Sequence, residues 1–466
     1  MKMLIEKGTL VTAEGTRPGD LLIEAGRIAA VGTHGAFEDL CRETDCERID
    51  AGGCYVMAGG VDVHTHMEMP FGATNSSDTF ETGTRAAAYG GTTTIVDFAM
   101  QRRGQTLQEG FDAWRARAEG HCSVDYGFHL IISEVTDGVL KEMESLVAQG
   151  VTSFKLFMAY PGMFYLNDGE IFSVMQRAAE IGALVMLHAE NGLVIDVLAA
   201  QAMAGGNTAP RFHGTTRPPE LEAEATHRGI ALAALAQSPL YFVHLSAAGA
   251  LQEVTAAKDR GAQVFAETCP HYLFLDATDM DREGFEGAKF VCSPPLREPG
   301  NEEDLWEGLA RGDLSVVATD HCPFCMAGQK ELGSDDFRAI PNGVPGIEHR
   351  MDLLYQGVRA GRLSLARWSE IASTAPAKLF GLYPEKGSLS PGSDADIVIY
   401  DPAERHVLSA ASHHMAVDYS IYEGSEIVGA VRDVILGGKV IVYRGDYKGA
   451  PGDGRFKARA RWQADS

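Results

Sequence analysis

A parallel α/β barrel of the (β/α)8 TIM type, joined to a small β-sandwich built from the two ends of the chain, is the fold this sequence predicts. Three observations predict it. At 466 residues the chain is longer than one average domain, yet a barrel of this type can run past roughly 250 residues as one unit. Between about residues 56 and 382, short β-branched runs alternate with longer Ala/Leu/Glu-rich stretches. The two ends are instead rich in short strands punctuated by Gly and Pro turns.

At the N-terminal end, 3–5, 20–23 and 27–31 read as strands. The runs 92–97, 152–157, 184–188, 240–245, 263–267 and 314–320 follow at the spacing of a βα repeat, with helix-like segments such as 220–237 between them. That alternation implies a parallel sheet covered by helices. After Phe380 the texture reverts, and 396–400, 426–435 and 439–443 read as strands. The expected division is a sandwich from 1–55 with 383–466, and a barrel from 56–382. Only the polar Gly/Arg-bearing stretch after Gly449 falls outside this pattern.

Composition excludes several function classes. Hydrophobic residues make up 45% and charged residues 22% of the chain, a composition that supports an ample core. A formal charge of −24 repels a phosphate backbone, and no Lys/Arg-rich run offsets it, so nucleic acid is not an expected partner. No apolar run approaches a membrane span. The first ten residues mix Lys2, Glu6 and Lys7 into their apolar positions, unlike a signal peptide. Eight scattered cysteines suit reduced thiols in a cytoplasm better than a disulfide framework. Cys322 and Cys325 form a C-x-x-C, but without a second pair it is weak evidence for a metal or redox site.

The sharpest local signal is His64-Thr65-His66. On a strand, residues i and i+2 face the same way, so two imidazoles can reach one ion from a single short segment. His188 ends an apolar run, His244 nearly ends another, and Asp320 closes a third. A histidine at a strand end is, taken alone, more often a hydrogen-bonded core residue. Several such residues at the C-terminal ends of separate barrel strands are different, because that face is where barrel active sites are built. Five N/O donors exceed the needs of one tetrahedral zinc and suit two metals that share a bridge. Lys155, inside the apolar run SFKLFM, must lose its charge or find a partner. Carbamylation by CO2 would do both, creating a carboxylate able to hold two cations about 3.5–4 Å apart.

With these residues in view, the chain resembles the D-hydantoinase and dihydropyrimidinase family of the urease-type amidohydrolase superfamily. The matching stretches are GGVDVHTHMEMPFG (59–72), SFKLFMAY (153–160), HAENG (188–192), YFVHLS (241–246), ETCPHYL (267–273), SPPLR (293–297), ATDHCPF (318–324) and IPNGVPG (340–346). The resemblance implies that His64, His66 and Asp320 hold one metal, that His188 and His244 hold the other, and that carboxylated Lys155 bridges them. Zinc is expected from the donor types. It further implies hydrolytic ring opening of 5-substituted hydantoins or 5,6-dihydropyrimidines to N-carbamoyl amino acids by a bridging hydroxide. In that chemistry Asp320 shuttles the proton and Tyr160 stabilises the oxyanion. Ser293 and Asn342 resemble the positions whose backbone groups clamp the cyclic –NH–CO–NH– edge, and Met69, Phe71, Phe157 and Phe164 resemble the apolar gate around the ring substituent. The family is usually tetrameric, which implies a homo-oligomer.

The rival readings are distinguishable. Collapsin-response-mediator proteins resemble the same fold but have lost ligands, and no ligand position is missing here. Dihydroorotase carries an Arg two residues after the second histidine, where this chain has Glu68. A carboxylate there is expected to repel dihydroorotate. Allantoinase has a polar ureido substituent, poorly suited to an apolar gate.

Overall fold

The computed structural model describes residues 2–42 and 46–463. Eight parallel strands form the central sheet: β1 (Gly60–Thr65), β2 (Thr92–Met100), β3 (Asp125–Ile131), β4 (Ser153–Phe157), β5 (Leu184–His188), β6 (Leu240–Phe242), β7 (Val264–Thr268) and β8 (Val316–Val317). They are hydrogen-bonded in chain order, and a parallel bridge from Thr65 to His321 joins the first edge to the last. His66 N donates to His321 O at 2.9 Å, closing the barrel at its C-terminal end. Lower on the same seam, fully buried Arg350 donates to Val61 O and Val317 O, both at 3.0 Å. A closed barrel leaves no sheet edge to pair elsewhere.

The strands read as continuous apolar runs because both faces are covered. All nine residues of β2 are buried, some facing the barrel interior and others the helices outside. The helices start where the sequence supplies caps. Thr106 with Glu109, and Asn167 with Glu170, form reciprocal capping boxes at Leu107–Ala118 and Asp168–Ile181. The helix expected over 220–237 spans Pro219–Ala236, entered through Pro219 and ended at Gln237, whose φ is +52°.

The chain ends build the second sheet. Nine strands, from Lys2–Thr12 through Tyr55–Ala58 and from Ile397–Val407 to Asp446–Tyr447, are joined where Tyr55–Ala58 pairs antiparallel with 397–400. The turn at Gly437 and Gly438 lies against Gly26 and Ile23. The sheet therefore curls over itself and encloses a core of its own, including Met3, Ile5, Ile23, Val56, Ile397 and Ile435. The boundary expected at 55/56 falls inside the Tyr55–Ala58 strand, because the chain pairs with the C-terminal strands before it enters the barrel. The stretch after Gly449 also does more than trail: Arg455 O, Arg459 N and Trp462 N bond to Tyr126, Gly150 and Gly182 along the N-terminal side of the barrel.

A candidate metal centre at the mouth of the barrel

His64 lies in β1 and His66 just beyond it, while His188 ends β5 and Lys155 is the middle residue of β4. His244 and Asp320 stand two and three residues past the ends of β6 and β8. Both adopt positive φ, +37° and +48°, as does Tyr160 at +62°. Non-glycine residues held there cost about 1–3 kcal/mol each, and such strain gathers at functional sites. The expected strands 240–245 and 314–320 are cut short by these turns, which swing His244 and Asp320 inward.

The six side chains converge. His64 Nε2 and His66 Nε2 are 3.2 Å apart, and each lies near Asp320 Oδ1, at 3.0 and 3.1 Å. Lys155 Nζ is 3.0 Å from His64 Nε2. His188 Nδ1 and His244 Nε2 are 2.9 Å apart, and the His64 and His244 ring centroids are 5.4 Å apart. His64, His66 and Asp320 are the group whose ligand atoms lie within 4.8 Å of one another among the described residues.

Carboxylates outside the cluster decide which nitrogen two of the four rings, His64 and His188, present. Glu267 Oε1 bonds His64 Nδ1, while its other oxygen accepts from Tyr241 Oη at 2.7 Å. Glu190 Oε2 lies 2.8 Å from His188 Nε2 and also accepts from Arg217 at 3.1 Å. A proton held on the outward nitrogen leaves an inward lone pair, the arrangement that metal-ligating imidazoles use.

The ionisation states fit the same reading. Burial lowers His66 to about 4, lowers His188, and takes His244 well below its ordinary value. Burial pushes Asp320 upward, but His64 and His66 outweigh it and hold the carboxyl well below the usual range. His64 is raised on balance, with burial and Lys155 opposed by Asp320 and Glu267. Burial lowers Lys155 to about 8. Neutral His66, His188 and His244 and an anionic Asp320, with acceptor atoms set about 3 Å apart, repel unless cations lie between them, so this donor set fits divalent ions.

One cavity collects the expected site. It is lined by His66, Lys155, His188, His244 and Asp320 together with Met69, Phe71, Phe157, Tyr160, Phe164, Ser293 and Asn342. Its volume is about 80 Å³, and Phe71, Tyr160 and Asn342 also line an adjoining chamber of about 450 Å³. Phe157 stacks on Phe164 with ring centroids 5.0 Å apart. Tyr160 lines this cavity beside Ser293 and Asn342, and burial raises its pKa. Cys322 lines the same cavity, whereas Cys325 Sγ turns toward Ala416 O.

Glu68 lines neither chamber: its carboxylate lies 4.0 Å from Arg117 Nε and accepts from Phe80 N. Like-charge repulsion by Glu68 therefore carries no weight against an acidic substrate, and only the absence of an arginine there does. Sequence reasoning also assigned no role to Glu267, Glu190, Arg217 or His213, whose Nε2 lies 2.8 Å from Cys292 O. For Glu267 a signal existed, since an acidic residue closing an apolar strand must find a partner.

A closed parallel barrel with clustered imidazoles and a carboxylate at its C-terminal mouth defines a barrel enzyme of the metal-dependent hydrolase class. The Amidohydrolase family model matches residues 55–441. The D-hydantoinase of Streptomyces coelicolor is 57% identical over 464 residues, covering 99% of each chain. That of Geobacillus stearothermophilus is 48% identical over 466 residues, covering 100% of this chain and 98% of its own. The crystal structure of dihydropyrimidinase from Brevibacillus agri superposes with a TM-score of 0.97 at 48% identity, covering 99% of this chain and 100% of its own. The chain belongs to the amidohydrolase family, and within it to the hydantoinase and dihydropyrimidinase branch, hydrolases of cyclic amides.

Proposed function

We propose that this protein opens the ring of 5-substituted hydantoins and 5,6-dihydropyrimidines, with two divalent cations held at the barrel mouth. The observation that carries the reading is the facing of inward lone pairs from His64, His66, Asp320, His188 and His244 across Lys155. His64, His66 and Asp320 would hold one ion and His188 and His244 the other, with carboxylated Lys155 between them. Imidazole and carboxylate donors favour zinc. When bound, the cations supply an activated water at neutral pH and polarise the ring carbonyl.

The chain's own residues do the rest. Asp320, anionic and at the centre of the cluster, takes a proton and delivers it to the departing ring nitrogen. Tyr160, protonated at neutral pH, points a hydroxyl into the cavity where charge develops on the carbonyl oxygen. Backbone groups at Ser293 and Asn342 read the imide edge, which presents donor and acceptor side by side. Met69, Phe71, Phe157 and Phe164 give the ring substituent an apolar, water-poor surrounding.

Buried free thiols such as Cys122, Cys269 and Cys292 support a cytoplasmic setting. Leu193, Val194 and Val197 are 53, 39 and 55% exposed on the helix Gly192–Ala204, an uncovered apolar face that supports self-association into a tetramer. Steady-state kinetics of the metal-replete protein on dihydrouracil, a 5-aryl hydantoin, allantoin and dihydroorotate test the substrate class. Turnover of the first two is expected to lead, and best turnover of dihydroorotate or allantoin overturns the assignment.

A further inference from the structure

Lys330 opens the short turn Lys330–Gly333, and its side chain is fully buried. Its three ammonium protons go to backbone carbonyls: Val291 O at 2.9 Å, Pro341 O at 2.7 Å and Gly343 O at 2.8 Å. These acceptors belong to two segments distant in sequence. Pro341 and Gly343 flank Asn342 on both sides, and Val291 lies two residues before Ser293. The segments also meet directly, through Gly343 N to Val291 O at 3.0 Å and Asn342 Nδ2 to Ser293 Oγ at 3.0 Å. On its far side Gly343 adopts a φ of +148°, and a Cβ there would lie 2.3 Å from Cys322 O. The 341–343 segment is thus wedged between the lysine and the chain leaving Asp320.

We propose that Lys330 is a positioning residue for substrate: one buried ammonium joins the 291–293 and 341–343 segments so that the backbone groups of Ser293 and Asn342 stand at the spacing of a cyclic –NH–CO–NH– edge. The inference rests on the ring-opening reading above. The charged form alone has a donor for each of the three carbonyls, since a neutral amine has two. Burial draws the pKa down to about 7. An apolar side chain of the same length would leave Pro341 O and Gly343 O without their donor, while Val291 O would keep Gly343 N alone. The two segments would then part by the fraction of an ångström that substrate positioning does not tolerate.

The test compares wild type with Lys330→Met and Lys330→Arg, using dihydrouracil and 5-phenylhydantoin, and measures KM, kcat, metal per chain and the unfolding midpoint. Lys330→Met is expected to raise KM and to lower kcat/KM by roughly 10- to 100-fold. Metal content should stay at the wild-type level and kcat should hold within a small factor. A folded Lys330→Met with wild-type KM overturns the proposal, as does a parallel loss of kcat and metal, which marks a merely structural staple. Where Lys330→Met does not accumulate folded, Lys330→Arg decides: its longer planar group cannot reach the same three oxygens, so a wild-type KM in that variant overturns the proposal. Wild-type protein inert on both rings removes the ring-opening reading and this inference with it, an outcome distinct from active wild type with an unaffected variant.

Discussion

Glu267→Gln separates the charge of a buried carboxylate from its shape. Glu267 is fully buried, and its Oε1 serves two donors, His64 Nδ1 and His244 N, the latter at 3.1 Å. Oε2 accepts from Tyr241 Oη at 2.7 Å. A glutamine can keep this pattern by turning its oxygen toward His64 and His244 and its amide toward the tyrosine oxygen, so the fold should survive. The negative charge that makes His64 a stronger donor is what disappears. Outer partners of this kind typically account for 10- to 100-fold in metal affinity, about 1.4–2.7 kcal/mol. Competition against a chromophoric chelator at neutral pH reads the affinity directly, and kcat at saturating metal should fall less than the affinity does. Affinity within twofold of wild type would refute the claim that the charge of Glu267 strengthens His64 as a metal donor.

Further predictions follow from the same geometry. Tyr160→Phe should lower kcat by roughly 10²–10³-fold at unchanged metal content, as loss of one oxyanion donor does; an unchanged kcat removes the tyrosine from the reaction. Lys155→Ala should lose metal and activity together, with partial recovery on adding a small carboxylic acid, and full metal content with normal rate removes the bridge. Lys386 is 1% exposed among Asp125, Asp396 and Asp394, at 2.5, 2.6 and 3.0 Å. Lys386→Met should therefore destabilise the protein by about 3–5 kcal/mol, read in denaturant unfolding, and a change under 1 kcal/mol would contradict the account. Burial raises Asp394, but Lys386 and Lys457 outweigh it and hold the carboxyl below its ordinary 3.8. That stability is present above pH 3.8 and is lost as the pH falls through the lower folded value. Asp396, raised by burial, works in the opposite sense. In acid titration the stability difference between wild type and an Asp394→Asn variant should shrink below pH 3.8, and a constant difference would contradict the assignment.

The sequence made the barrel legible where short β-branched or apolar runs lie between helix-like stretches, as in β2, β4 and β5. β3 carries Asp125, Gly127 and His129 within seven residues, and its run does not stand out until the structure shows His129 bonded to Ser153 Oγ and Val63 O. His129 is the ordinary core histidine that a lone strand-end imidazole would suggest. The convergence of His64, His66, Lys155, His188, His244 and Asp320 was readable because they fall in or just past five barrel strands, with His64 and His66 sharing one. Lys330, Arg217 and Glu68 were not: they sit outside the strands and α-helices, and their partners lie from 11 to 49 residues away in sequence, with no periodicity to locate them. Glu68 shows the hazard, since its nearness in sequence to His66 says nothing of its direction, and its φ of +54° turns it away from the cavity.

Counting metal on the purified protein by mass spectrometry under native conditions, together with the 13C NMR signal of a lysine carbamate in the folded protein after exchange with 13CO2, tests the central claim most directly. The account predicts two divalent ions per chain, one CO2 added at Lys155, and ring opening that chelation abolishes and added divalent ion restores. Protein that opens hydantoin rings at full rate after its metal is stripped would contradict it.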